Sequence, residues 1–459
     1  MVLIEFGRNG WFGVISDEIT FENISIVAQA AADYLNDIQS PGPVVLGYDT
    51  RFLSREYAWA IQRVLTGNGI RVFLHKRPVP TSFLTLSVQL YDAGLGIMVT
   101  GEGRPARYSG LIFRLRGGRP ASGAWMSTLF NYLYRRYPRK SEDNRHLLQY
   151  IDVSREYEEL IGKYADFALI RKKNPLIVSD SFFGSIGITF QDLLRKNGIN
   201  GVHIRTRSNP GFLDCIPQPN GRNMQPISRL VVQKPGNMGL FFNGDGSRIG
   251  VIAQSGEILP GTWASALVLE EWFRIKGSVY DVYTEFFTPD IARTLLSHYH
   301  LEAKPTHQLY EEDRDPSRAI VWDRHSLTFG AFLPERDGIF QGLLLLQALC
   351  RSDMDWKKLA DRMEALAGTR LVEQKSINMV SNLWERKRKA LLEQNRELFP
   401  EEIAEITEKD EEWKLSFRDG SWVGFSYNEK EDSLFLYYDA SNRESMERCF
   451  PAVVNWLLQ

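Results

Sequence analysis

Cysteine is scarce in this chain, and long apolar runs are missing. Only three cysteines, Cys215, Cys350 and Cys449, occur among 459 residues. Their odd number and wide spacing give neither a disulfide framework nor a thiolate metal site. Apolar runs such as Leu343-Leu344-Leu345-Leu346 fall far short of the roughly 20 residues that a bilayer-crossing helix needs. The opening stretch, Met1 to Gly10, lacks a basic segment followed by a long apolar one, so no secretion leader is expected. A large excess of one charge is also missing: Lys and Arg total 55, Asp and Glu 57, and the net charge is −2. That balance argues against a protein built mainly to coat nucleic acid, which is usually basic overall. What is present is an ordinary globular composition, 43% hydrophobic and 24% charged, not a disordered one. A reducing, cytoplasmic setting is expected. At about 150 residues per domain, the length suggests roughly three domains.

The first third alternates strand and helix patterns. Val44 to Gly47, Arg71 to Leu74 and Leu95 to Thr100 are short β-rich runs. In Phe21 to Asn36, the apolar residues Ile24, Val27, Ala30, Ala31, Tyr34 and Leu35 recur at three- and four-residue spacing, giving one buried helix face. Such alternation predicts parallel βαβ units. The pattern restarts with a strand at Pro175 to Asp180, a helix at Ile188 to Gly198 and strands at Gly201 to Ile204 and Leu240 to Phe242. A third block runs through a helix at Trp263 to Lys276, a strand at Ala319 to Trp322 and a helix from about Asp337. These read as one α/β unit repeated three times with weak residue-level similarity.

The stretch Lys375 to Glu412 is highly charged and reads as mostly helical. From Glu397 to Glu412, eight carboxylates face Lys409 alone. A solvated helix face or linker is the preferred reading, with an acidic docking surface as the alternative. Trp413 to Phe417, Ser421 to Val423 and Ser433 to Tyr438 then alternate like antiparallel strands, and Glu444 to Leu458 closes the chain as a helix. That is a small α+β domain. His298 and His300 sit at i and i+2, which do not share a helix face, so they read as structural rather than as metal ligands. No P-loop, zincin motif or nucleophile elbow occurs.

Several strings fall in register with one family. Phe6-Gly7-Arg8-Asn9-Gly10-Trp11-Phe12-Gly13, Gly47-Tyr48-Asp49-Thr50-Arg51-Phe52 and Arg77-Pro78-Val79-Pro80-Thr81 resemble the successive early motifs of the α-D-phosphohexomutases, the phosphoglucomutase/phosphomannomutase family. Leu333 to Gly338, Trp422-Val423 and Leu436 to Ala440 resemble later ones. The resemblance implies three similar α/β domains and a C-terminal α+β domain, with bounds expected at 1–145, 146–253, 254–368 and 369–459. It also implies transfer of a phosphoryl group between the 1- and 6-positions of a hexose through a phosphoserine.

Carried over residue by residue, the family's four functional loops are altered here. Thr100-Gly101-Glu102-Gly103-Arg104-Pro105 matches the nucleophile loop and puts Glu102 at the phosphoserine position. Glutamate carries negative charge but no transferable phosphoryl group, although carboxylates can form acyl phosphates elsewhere. The family lysine that acts as a proton-transfer group falls at Ile112, which exchanges no protons. Its arginine beside the phosphoserine falls at Phe12. The Mg²⁺ loop becomes Asn243-Gly244-Asp245-Gly246-Ser247-Arg248, so Asn243, Asp245 and Ser247 hold one carboxylate where the family has three. The sugar loop becomes Trp322-Asp323-Arg324-His325. A stacking role for Trp322 is possible, but packing is favoured. The phosphate loop becomes Ser426 to Asp432, so Ser426, Asn428 and Lys430 stand among Glu429, Glu431 and Asp432. Such carboxylates would repel a phosphate dianion.

These changes together predict a mutase scaffold that has lost mutase chemistry and acts as a binding or regulatory pseudoenzyme. The alternatives are an active hexose 1-phosphate/6-phosphate mutase with altered machinery, or a structural partner of an active mutase. No cofactor is expected, with Mg²⁺ entering only for the active alternative. Arg104, Arg107, Arg114, Arg116 and Arg248 are candidate anion-binding residues, for an anionic small molecule or a protein partner. Neither a membrane nor nucleic acid is an expected partner, and the chain is expected to be a monomer or homodimer.

Overall fold

The first block opens with β1 (Gly10–Val14) and α1 (Phe21–Asp37). The Thr20 hydroxyl accepts a hydrogen bond from the Asn23 amide at 3.1 Å and so caps α1. Then come β2 (Val44–Tyr48), α2 (Ser54–Gly67), β3 (Val72–His75), α3 (Thr81–Leu90), β4 (Leu95–Val99), β5 (Tyr108–Leu115), α4 (Gly123–Phe130) and β6 (Leu148–Ile151). The computed structural model describes residues 4–7, 10–38, 42–141, 143–234, 236–311, 315–323, 326–368, 370–393, 399–409, 412–428, 432–440 and 442–459. The first sheet has the order β1-β5-β4-β2-β3-β6. Its β4, β2, β3 and β6 run parallel, as expected of βαβ units. β5 reverses, pairing antiparallel with both β4 and β1. The reason is the connection: residues 100–107 between β4 and β5 form a loop without a crossover helix, so the next strand turns back. Ile24, Val27 and Leu35 of α1 pack in one core with Val44, Leu46, Ile97, Leu111 and Phe113.

The second block holds α5 (Ser154–Ile161), α6 (Phe167–Lys173), β7 (Ile177–Asp180), α7 (Thr189–Lys196), β8 (Gly201–Ile204), α8 (Gly221–Gln233), β9 (Met238–Phe242), β10 (Ile249–Ala253), β11 (Ile258–Leu259) and α9 (Gly261–Lys276). Its sheet order is β11-β10-β9-β7-β8. β7 pairs in parallel with β8 and β9, while the tight turn at 243–248 sends β10 back antiparallel on β9. The third block holds β12 (Asp281–Thr284), α10 (Asp290–His298), β13 (Ala303–Pro305), α11 (His307–Glu311), β14 (Ala319–Trp322), β15 (Leu327–Phe329), α12 (Gly338–Arg351) and α13 (Trp356–Ala367).

By contacts the chain divides into two compact units. The larger comprises Met1–Tyr280, His307–Val321 and Ser326–Trp356, and the smaller comprises Asp281–Thr306, Trp322–His325 and Lys357–Gln459. Within the larger, α12 is wholly buried except at its last residue and packs on α9. Asp337 caps α12 through the Phe340 amide and also accepts the Tyr157 hydroxyl at 2.8 Å.

In the smaller unit, β12 and β13 pair in parallel. The C-terminal part is β16 (Leu371–Asn378), α14 (Ser381–Glu393), β17 (Ile403–Lys409), β18 (Glu412–Phe417), β19 (Trp422–Asn428), β20 (Ser433–Ala440) and α15 (Arg443–Leu458). Its antiparallel sheet runs β16-β20-β19-β18-β17 and encloses Ile377, Trp384, Leu415, Phe425, Leu436 and Val453. The mostly helical reading of Lys375 to Glu412 is corrected here. Lys375 to Asn378 belong to β16, and Ile403 to Lys409 form the edge strand β17, with Glu405 and Glu408 exposed. Carboxylates on an edge strand keep its unpaired backbone from recruiting another strand, and that need, not helix formation, accounts for the charge there. Glu397, Asp410 and Glu411 lie outside the described residues.

Candidate functional site

The Thr100–Pro105 loop is built around one buried arginine. Arg51 follows β2, and its side chain is fully enclosed. Its Nη1 donates to the carbonyls of Pro105 at 2.7 Å and Tyr108 at 3.0 Å. Its Nη2 donates to those of Glu102 at 2.7 Å and Arg104 at 2.8 Å. Asp49 Oδ2 lies 3.2 Å from Arg51 Nε, an ion-pair contact outside hydrogen-bond geometry. Asp49 Oδ1 accepts the Ser54 hydroxyl at 2.7 Å and the Arg51 amide at 3.0 Å. Burial lowers the Arg51 guanidinium from its ordinary value, while the charges of Asp49 and Asp245 act the other way. Gly101 passes so close that an added Cβ would lie 2.5 Å from the Arg51 guanidinium carbon, so no larger residue fits there without displacement.

Held by its carbonyls, the loop presents Glu102. Glu102 adopts a left-handed backbone, φ 49°, and its amide donates to the Thr100 hydroxyl at 2.9 Å. A non-glycine residue held left-handed costs about 1 kcal/mol or more. The Arg51 clamp supplies the compensating contacts. The Glu102 carboxylate pairs with Arg104 at 3.3 Å, and the two side chains are 24% and 34% exposed. The Arg104 guanidinium carbon lies 3.6 Å from the centroid of the Phe12 ring, a cation–π contact. Thus Phe12 carries the arginine of the next loop on its face.

The turn between β9 and β10 lies in the same unit. Gln218 Nε2 donates to the Gly103 carbonyl at 2.6 Å, and the Gly244 amide donates to the Pro217 carbonyl at 3.1 Å, so the two loops share a connecting segment. Asn243, Asp245 and Ser247 are all buried. Asp245 Oδ1 accepts from Asn243 Nδ2 at 2.6 Å, the Ser247 hydroxyl at 2.8 Å and the Ser247 amide at 3.2 Å. Gly246 supplies a φ of 75° for the turn. Mg²⁺ prefers charged oxygens in octahedral array. This turn offers one carboxylate, one oxygen of which already takes three hydrogen bonds. Among the described residues no group of three or more His, Cys, Asp and Glu is placed to hold a metal ion. The donor set does not fit the cation.

The remaining predicted positions are dispersed. Ile112 is a core residue of β5, paired with Gly10 and Met98. Arg114 is buried and paired with Glu335, a residue 221 positions away, which withdraws it from any anion site. Arg116 pairs with Asp92 at the surface at 2.8 Å. Arg107 is exposed, its guanidinium carbon 5.4 Å from the Tyr108 ring centroid, and Arg248 is half-buried. In the smaller unit Trp322 and Asp323 are buried, so Trp322 packs and offers no open ring face. Ser426 and Asn428 are ladder positions of β19, opposite Phe435 and Ser433. Arg324 and Lys430 lie outside the described residues. Arg51, Gln218 and Glu335 escaped the sequence reading. Arg51 sits inside a recognised motif, but its carbonyl partners are 51 to 57 residues away and leave no local trace.

A phosphohexomutase fold is what this order of α/β blocks and loops defines. Residues 3–135 match the model of the phosphoglucomutase/phosphomannomutase α/β/α domain I. A phosphoglucomutase/phosphomannomutase of Thermococcus kodakarensis is 23% identical over 460 aligned positions, covering 97% of this chain and 93% of that protein. A Methanobrevibacter smithii protein assigned as a phosphoglucosamine mutase is 28% identical over 271 positions, 58% of this chain and 59% of that protein's length. A Thermus thermophilus structure assigned as a phosphomannomutase superposes with a TM-score of 0.83 at 23% identity, covering 99% of both chains. Residues 3–135 thus carry domain I of the phosphoglucomutase/phosphomannomutase family, and the chain as a whole has the phosphohexomutase fold.

Proposed function

We propose that this family member is a binding or regulatory protein that no longer interconverts hexose phosphates. The observation that carries this reading is Glu102. It stands where the family resemblance puts the phosphoserine, carries no transferable phosphoryl group, and is paired with Arg104. Ile112 in the core and the single carboxylate of the 243–248 turn support the same reading. The framing residues Asp49 and Arg51 hold the loop's shape, while the reacting groups are replaced. The ligand is an anionic small molecule or an acidic protein surface, and the setting is cytoplasmic.

A second reading, an active mutase with altered machinery, is favoured by the near full-length match to the Thermococcus protein. In it, Glu102 is either phosphorylated or bypassed. Purified chain with Mg²⁺, glucose 1-phosphate and a bisphosphate activator separates the two. The first reading expects no turnover above a no-enzyme control. Turnover that persists at high purity and is lost in Glu102→Ala establishes the second.

A further inference from the structure

The smaller unit holds an amine that takes no part in the loops described above. Lys414 lies on β18, on the face of the C-terminal sheet opposite to the core residue Leu415. Directly across from it in the ladder stand Thr407 on β17 and Gly424 on β19, neither of them charged. A Cβ added at Gly424 would lie 2.6 Å from the Phe287 ring, so that ring fills the space beside the strand. Phe287 stacks on Trp422 with ring centroids 6.1 Å apart, and Lys414 Nζ lies 4.3 Å from the centroid of the Trp422 ring. Lys414 is thus half-buried against aromatic surface, and among the described residues no hydrogen bond or ion pair reaches its amine. Lys387 is the useful contrast: it lies 4.8 Å from the Trp456 ring centroid but also donates to the Trp456 carbonyl at 2.6 Å.

The carboxylates that act on Lys414 have partners of their own. Asp439 accepts from Arg370 Nε at 2.7 Å and from the Asp290 amide at 2.8 Å. Asp290 accepts from Arg370 Nη2 at 2.8 Å and pairs with Arg293. Two residues along β18 in either direction, Glu412 faces Lys409, and Ser416 faces Glu405. Burial lowers the Lys414 amine from its ordinary value; Arg293 and Arg370 act in the same direction, Asp290 and Asp439 against it. We propose that Lys414 is a modification site, the amine at which small aldehydes form an imine with this chain. Desolvation and neighbouring cations are the conditions that make a lysine nucleophilic near neutral pH. The deprotonated Nζ attacks the carbonyl carbon, a C=N bond replaces the C=O bond, and the oxygen leaves as water with the two amine hydrogens. The site involves neither Glu102 nor the 243–248 turn, so it is independent of the proposed loss of mutase chemistry.

The test exposes the full chain to substoichiometric glycolaldehyde above the value of about 6 to which Asp439 is raised. Cyanoborohydride fixes the imines, and peptide mass spectrometry maps them. Lys414 is expected to be the first lysine labelled, ahead of Lys387. Arg293, whose side chain is 73% exposed, offers a second readout. Arg293→Gln removes a neighbouring cation and leaves Asp290 with Arg370 alone, so labelling of Lys414 is expected to slow several-fold while Lys387 is unchanged. A lysine labelled only because it is exposed would not respond to that change. Arg293→Met repeats the measurement should the glutamine variant unfold, as judged by circular dichroism. Labelling of Lys387 or another lysine as fast as Lys414 overturns the proposal. So does an unchanged Lys414 rate in the folded Arg293 variant.

Discussion

Replacing Arg51 by Met removes the post around which the 100–108 loop is wound. The buried guanidinium makes four hydrogen bonds of 2.7 to 3.0 Å and one ion-pair contact of 3.2 Å. Removing one partner of a buried ion pair typically costs about 3–5 kcal/mol, because the other charge is left uncompensated. Asp49 retains the Ser54 hydroxyl and the amide of residue 51, which places the expected cost near the middle, about 4 kcal/mol. The freed carbonyls of Glu102, Arg104, Pro105 and Tyr108 also gain access to water, so much of the cost is expected as local opening. A free-energy change of about 4 kcal/mol is roughly a thousandfold in an opening equilibrium. Trypsin reads this directly at the Arg107–Tyr108 bond, since Arg104 is followed by Pro105 and resists cleavage. Cleavage there should accelerate by two to three orders of magnitude when it tracks the open population. Urea denaturation should show the remaining loss. Arg51→Lys keeps a charge for Asp49 but loses the five-donor fork, so it should fall between the two. A cleavage rate within threefold of wild type, together with a stability change under about 1 kcal/mol, would show that the loop does not depend on this side chain.

Arg114→Met should cost about 3–5 kcal/mol in urea denaturation by stranding the buried Glu335 carboxylate, and combining it with Glu335→Gln should recover much of that loss. Full additivity of the two changes would contradict the pairing. In the smaller unit, Asp439 is pushed up to about 6, chiefly by burial and against the pull of Arg370. The folded state therefore binds a proton more readily than the unfolded chain, whose aspartates titrate near 3.9. Its contribution to stability is fully present below about pH 4 and is lost as pH rises through about 6, a total on the order of 3 kcal/mol. Denaturation midpoints from pH 4 to 8 should show wild type gaining on Asp439→Asn as the solution is acidified; a constant difference between the two would rule the shift out.

Much of the local architecture was legible in residue order. The three- and four-residue spacing of Ile24, Val27, Ala31 and Leu35 marks a helix that runs from Phe21 to Asp37. The β-rich runs near 44, 72 and 95 are strands within a residue or two of their predicted bounds. The helix beginning after Asp337 is capped by that residue. The acidic segment departs from its helical expectation because charge density says that a face is wet, not whether it belongs to a helix or to an edge strand. Only the pairing of β17 with β18 decides that.

The candidate site divides in the same way. Residue identities alone determined that position 102 carries a carboxylate and position 112 an aliphatic chain, since a missing chemical group is missing in any fold. The grouping of Arg104, Arg107, Arg114 and Arg116 as one anion-binding set is a different kind of inference, from proximity along the chain. Packing separated them: Arg114 turns inward to Glu335, Arg116 pairs with Asp92, and Arg104 lies on Phe12 beside Glu102. Backbone periodicity is a property of neighbours in sequence, so strands and helices can be read from it. Charge pairing depends on which distant segments meet and which side chains lose water when they do, and that is decided by tertiary structure.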